Sequence, residues 1–468
     1  MSDTYSRVGY LAIKKETTEN TAVTPNVFIP FNDESAAVEY GYTPAIPVSG
    51  SRALNRRAVK KRITAPAGTI NVNVEPKTFG YFLEAILGDL ISGNYVKISN
   101  VVGTFNTTNV VTFVGSAATA TPVFIGDDFI IFGAFTGTPA NTDTLSQAVS
   151  GATADVDEVD GAGTVKGHAA KLPANFSNTF TMEFGYSDRA HRLVGVKFHS
   201  IDAFGQSDDI ITAGIQFMAR SAFRQARVTA ITTSGAGAKT ITVDTTQGLV
   251  ASDSIKLYRD GSGFLDFEAA SDAIHTITSL TANTIVVTNL QTSTAIGDLI
   301  VLAPQTPTYT IDSEFSWVGG SQVSLGNTKA SFATENVEDF TISILNELEE
   351  RHAASGTNLS NRFPTALLQK GLTANGSFAL YNQDEGFIRH LRLTTAQAAK
   401  LQCTGGQIGA TGIYYQLQII FPEVQFDPYQ LSLSQDDLVN EEIPFSAFCN
   451  TTAAYSVQIL LVNNVTVY

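Results

Sequence analysis

Cysteine is nearly missing from this chain. Cys403 and Cys449 are the only two in 468 residues, and neither belongs to a CxxC pair. That excludes a disulfide framework and leaves two buried free thiols as the reading. Histidine is scarce too. His168, His191, His199, His275, His352 and His390 form no HExxH and no His-x-x-x-His pair, so no zinc site is expected. Positive charge is in deficit: 29 Lys and Arg stand against 44 Asp and Glu, a net charge of −15. A chain that grips nucleic acid through its phosphates needs the opposite balance. Acidity beside DNA suits passage rather than capture, and it also serves plain solubility. No apolar run approaches the ~18 residues of a membrane-spanning helix. No positively charged start precedes an apolar stretch, so the expectation is a protein made in a cytosol without export and without membrane contact.

What remains is apolar, glycine-rich and β-branched. Hydrophobic residues make up 43% and charged ones only 16%, against a usual quarter. The length suggests roughly three domains. Period-two alternation recurs: Ile70, Val72 and Val74; Phe180, Met182 and Phe184; Val194, Val196 and Phe198; and Ile413 through Phe421. Each places one apolar set on one sheet face, the signature of an all-β protein. Val457, Ile459 and Leu461 before Asn463-Asn464, with Val465 and Val467 after, read as a final hairpin. Helix signals are few. Pro76 fits a first turn, Phe79, Phe82, Leu83, Ile86 and Leu87 share a face, and Gly88 suits a C-cap. A second short helix is expected from Asp384, with Phe387, Ile388 and Leu391 as its stripe.

These helices close two similar stretches. Arg62 to Ile70, leading to Phe79 and Leu83, parallels Lys370 to Phe378, leading to Phe387 and Leu391. Both read as basic residue, strand, Gly turn, strand, helix, which suggests a core with internal two-fold sequence symmetry. A second repeat runs through Ile241–Asp244 with Asp253–Leu257, Ile285–Thr288 with Gly297–Leu302, and Val110–Phe113 with Gly126–Phe132. We read residues 93–164 and 227–304 as two small β modules inserted into loops. The alternative is extra strands of one large sheet. The core is then discontinuous: 1–92, 165–226 and 305–468.

The first ninety residues carry a resemblance. Gly9-Tyr10-Leu11-Ala12-Ile13-Lys14-Lys15, Thr24-Pro25, Phe28-Ile29-Pro30-Phe31, Glu34, Glu39, Pro47-Val48-Ser49-Gly50-Ser51-Arg52 and Ala67 through Gly88 follow one another in an order that resembles tail tube proteins of long, non-contractile phage tails. Gly195–Ile201, and Phe421-Pro422-Glu423-Val424 through Phe445, resemble later strands of the same family. The resemblance covers about 300 residues of core. It implies a β-sandwich and a structural, non-enzymatic virion protein with no cofactor. It implies partners as well: copies of itself in hexameric rings stacked head to tail, a tape-measure protein, tail terminator and tip proteins, and double-stranded DNA in transit without specific binding. Assembly would occur in the host cytoplasm, with the insertions on the outer face. The duplication departs from the simplest members and opens a second possibility, trimers with pseudo-sixfold symmetry.

Arg52, Arg56, Arg57, Lys60, Lys61 and Arg62 concentrate six cations in eleven residues. They could form a solvated loop, a DNA contact, or an arm that steers assembly against an acidic neighbour. The resemblance favours the arm, because the family carries a long loop here that contacts the adjacent ring. Asp155 to Gly161 resembles the start of a calcium loop, but its third acid comes one residue late and no closing Glu follows, which leaves a solvated acidic turn. Gly161 to Gly167 has the wrong spacing for a dinucleotide fingerprint. Asp208-Asp209, Asp436-Asp437 and Glu441-Glu442 read as loop charges rather than a glycosidase pair. Two other functions compete: a virion decoration or receptor- or carbohydrate-binding tail protein, and an enzyme acting on cell-wall glycans.

Overall fold

A computed structural model describes the chain apart from residues 1–8, 38–39, 46–56, 173–177, 187, 206–208, 233–234, 262–263, 267–273, 291–293, 311–312, 318, 329–330, 336, 353–362, 382–396, 428–430, 433–439 and 451–454. The described residues are almost entirely β, with a single α-helix.

The first part of the core comprises β1 (Tyr10–Lys15), β2 (Val27–Ile29), β3 (Asp33–Glu34), β4 (Tyr40–Ala45), β5 (Arg57–Ile63), β6 (Ala67–Asn73) and α1 (Phe79–Leu87). After β7 (Ile91–Val102) and β8 (Lys166–Leu172) it continues with β9 (Phe180–Gly185), β10 (Ala190–Gly205) and β11 (Thr212–Phe223). All pairings are antiparallel: β2–β1–β9–β10–β11–β6–β3. The helix forms where the apolar stripe predicts. It buries Phe79, Phe82, Leu83, Ile86 and Leu87, sets Phe82 edge-on to Phe198 at 5.5 Å, and ends at Gly88 with φ 87°.

The second part repeats this wiring. It holds β12 (Ser321–Gly326), β13 (Ala333–Glu335), β14 (Val337–Arg351), β15 (Ala366–Tyr381), β16 (Gln397–Gln407), β17 (Tyr414–Phe426), β18 (Leu431–Ser432), β19 (Asn440–Ala447) and β20 (Val457–Asn463). Its order is β13–β12–β16–β17–β19–β15–β14, again all antiparallel. Strand for strand, β14 and β15 take the places of β3 and β6, while β17 and β19 take those of β10 and β11. Two glycines mark the match. A Cβ on Gly68 would lie 2.6 Å from the Ser35 carbonyl oxygen; one on Gly376 would strike that of Thr341. Both sit inside strands, so the expected glycine turns are corrected: these glycines permit close approach of a paired backbone. The second helix expected from Asp384 lies outside the described residues.

The two parts join through β10 and β14, with Ser200 to Gly205 opposite Leu345 to Phe340. The result is one eight-strand sheet, β3–β6–β11–β10–β14–β15–β19–β17. A second layer runs β12–β16–β17–β20–β8–β7. The main core lies between them, and Ile201, Ile342 and Phe340 share a cavity of about 20 Å³ with Leu401, Leu417 and Ile459 of the second layer. Opposite β11, the other edge of β10 pairs first with β9 and then with β14. Gly195 there has φ 65°, donates its N–H to Glu16 Oε1 at 2.8 Å, and would place a Cβ 2.9 Å from Arg220 Cβ. We expect Gly195→Ala to cost about 1–2 kcal/mol from the left-handed backbone and more from the clash, read as a lower urea midpoint.

Two further apolar clusters stand apart from the main core. One gathers Val96, Phe113, Ile130, Phe132, Leu145 and Val156; the other gathers Phe223, Ile241, Ile255, Ile277, Ile285 and Ile300. Three turns in these segments share one device. Asp143, Asp253 and Asp298 each accept the N–H of the residue three earlier and return their own N–H to its carbonyl. Asp155 and Asp157 lie on a strand (Ala152–Val159) rather than in an acidic turn, bonded to Asn100 and Ser99. Asp160 alone makes the turn, accepting N–H groups of Ala162, Thr164 and Val165. The final hairpin is also corrected. After β20 the chain leaves the sheet, because Asn463 is fully buried and binds the Pro76 carbonyl and His168.

Candidate assembly surface

The basic cluster falls on an isolated ribbon. β4 and β5 pair with each other, Tyr42 opposite Lys60 and Ala45 opposite Arg57, and with no other strand among the described residues. Arg57, Lys60, Lys61 and Arg62 lie on β5; Arg52 and Arg56 lie outside the described residues. Its counterpart in the duplicate is the far end of the β14–β15 hairpin, Leu348 opposite Gln369 and Arg351 opposite Ala366. That ribbon carries Glu347, Glu349 and Glu350. Glu349 pairs with Arg351 at 2.9 Å and Lys370 at 3.0 Å, while Glu350 Oε2 accepts the Ala65 N–H at 2.8 Å, just past β5. The two equivalent ribbons are thus of opposite dominant charge.

The eight-strand sheet has two unlike faces. Toward the core it presents Ile70, Val72, Ile215, Phe217, Ile201, Ile342, Ile344, Phe378 and Phe445, all buried. The other face is mostly polar, with Phe204, Leu345 and Pro444 as its apolar members. Its central row is Asp33, Asn71, Gly214, Asp202, Ser343, Asn375, Ser446 and Gln425, one residue from each strand. Asn73, Thr212, Phe204, Thr341, Ser377 and Pro444 form the row on one side; Thr69, Gln216, Ser200, Leu345 and Thr373 form the row on the other. No Lys or Arg stands in these three rows, and Asp33 and Asp202 are their only carboxylates; His199, the extra residue of the β10 bulge, lies close enough to Asp202 to feel its charge, and the next row holds Lys197 opposite Met218. Asp202 is tied down by the hydroxyls of Ser200 at 2.9 Å and Ser343. Asn71 donates to Asp33, and the Thr341 and Ser377 hydroxyls bond each other at 2.8 Å. The alternation that marks the apolar set carries this face in its opposite phase, a signal present in the sequence and unused until the strands are ordered.

The chemistry found elsewhere is structural. Arg192 is 1% exposed and binds Glu183 through Nε and Nη2, and Asp253 through Nη1 and Nη2, at 2.7–3.0 Å. Tyr10 and Gln305 complete Glu183, so five side chains lock the core to the 227–304 segment. Alternation alone does not single out this arginine. His168 is buried between Ser92, Asn463 and the Tyr468 ring, and burial lowers its pKa to about 4. Burial likewise pushes the Cys403 thiol up to about 12, while Cys449 is exposed rather than buried. Among the described residues no group of three His, Cys, Asp or Glu could hold a metal, and no helix is long and apolar enough to cross a membrane. Asp208, Asp436 and Asp437 lie outside the described residues. No family model and no curated protein matches the chain.

Proposed function

We propose that this chain is a structural virion protein whose copies close into rings and stack into the tail tube of a long-tailed, non-contractile bacteriophage. The observation that carries the reading is the eight-strand sheet, whose face away from the core holds three mostly polar rows without Lys or Arg. A surface that must let a polyanion slide past it needs hydration without positive charge. Placed inward, this face would line the bore, filled first by a tape-measure protein and then by double-stranded DNA during ejection. The duplicated wiring supports three copies per ring with pseudo-sixfold symmetry. Three such sheets would supply about 24 strands, and at ~4.8 Å spacing and a tilt near 40° the closed barrel would be roughly 45–50 Å across its backbone. Ring-to-ring contact falls to the basic ribbon, whose acidic counterpart recurs around the ring. Negative-stain images of concentrated protein should show annuli and tubes. Strictly single particles, or turnover of a cell-wall glycan, would overturn the reading. Replacing Arg56, Arg57, Lys60 and Lys61 with Ser should stop tube growth while circular dichroism and melting stay unchanged. Tubes of normal length from this variant would contradict the ribbon's role.

A further inference from the structure

Each half of the chain contributes four strands to the sheet, in the same order. The first half ends on β10 and the second begins on β14, and these two edges pair inside one molecule. The same two edge types recur at the outer margins. β3 pairs only with β6, and β18, which takes over the place of β17 along the first residues of β19, pairs only with β19, among the described residues. Open margins of this kind invite another chain. Here the inviting edge and the receiving edge are different, which makes a head-to-tail contact, the kind that forms a ring when its rotation closes.

We infer that the internal β10–β14 junction is a template for the contact between neighbouring copies, and that it fixes the register. This rests on the ring-forming function proposed above. Glu34 opposite Ile70 matches Phe340 opposite Phe378, so Ser35 stands for Thr341 and Ala36 for Ile342. Ile215 opposite Ile70 matches Ile443 opposite Phe378, and Phe217 opposite Phe198 matches Phe445 opposite Phe426. Following the same strands outward, Ala213 opposite Ala203 matches Glu441 opposite Leu431, and Thr212 opposite Phe204 matches Asn440 opposite Ser432. Inside the chain Ala203 faces Ile342 and Phe204 faces Thr341. Between copies, therefore, Leu431 faces Ala36 and Ser432 faces Ser35, antiparallel. The receiving edge is kept ready: Ser35 and Ala37 donate their N–H groups to β6, which turns the Ala36 N–H outward, where Glu34's own carboxylate holds it at 2.7 Å.

The test is disulfide trapping in rings. Cys449 is exposed and is first replaced by Ser. In that background, S35C with S432C should give covalent oligomers up to a closed ring under mild oxidation, lost on reduction. The single variants should stay monomeric on denaturing gels, and the shifted pair Glu34→Cys with S432C should link at least tenfold less. Rings in the micrographs with no S35C–S432C linkage, or with the shifted pair linking better, would overturn the register and leave the ring reading standing. Absence of rings from the unmodified protein would overturn both.

Discussion

Arg192→Met is expected to cost about 3–5 kcal/mol of folding stability, the cost of leaving a buried charge without its partner. The guanidinium is 1% exposed and satisfies two carboxylates, Glu183 and Asp253, that are themselves 1% and 2% exposed. Removing it strands two negative charges beside each other in a medium that cannot solvate them. Tyr10, Gln305, Thr24 and the Val250 N–H still hold the carboxylates in place, so the chain has little room to relax. Chemical denaturation of the wild type and R192M measures the loss. Adding Glu183→Gln and Asp253→Asn to R192M should recover much of it, because neutral amides remove the unpaired charge. A triple variant no more stable than R192M would mean that packing, not charge, sets the cost.

Acid should destabilise the protein well before its carboxylates titrate. Burial lowers the His168 pKa from 6.5 to about 4, so the unfolded chain binds a proton that the folded chain refuses. The contribution is fully present above pH 6.5 and is lost as pH falls toward 4. A shift of that size corresponds to roughly 3 kcal/mol at 1.36 kcal/mol per unit. His191, half-buried and also lowered to about 4 by burial and by Arg224 and Arg189, acts in the same direction. Unfolding free energy measured from pH 7 to 4 should therefore slope downward, and His168→Gln should flatten the slope. An unchanged slope in that variant would remove His168 from the explanation.

Local chemistry was legible in the sequence and remote chemistry was not. The α1 stripe and its Gly88 cap are written within a dozen residues, and the strand phases within seven. Gly68 reads as a turn because nothing near it reveals the Ser35 carbonyl lying against it, 33 residues away. Asn463-Asn464 reads as a hairpin tip because its true partner, the Pro76 carbonyl, is 387 residues distant. The basic cluster of the candidate surface stood out at once. Its acidic counterpart did not, since only the repeated strand order identifies Glu347, Glu349 and Glu350 as the equivalent ribbon. The polar face was likewise invisible until eight strands, scattered from Asp33 to Ser446, were put in order.

One quantity bears most directly on the idea that a duplicated sheet closes on itself around a polar bore: the mass of a single ring. Native mass spectrometry of rings released from short tubes should give three times the 49.9 kDa chain, with averaged images showing six near-equivalent lobes. A ring of six chains, or a chain that never leaves the monomer at any concentration, would contradict it.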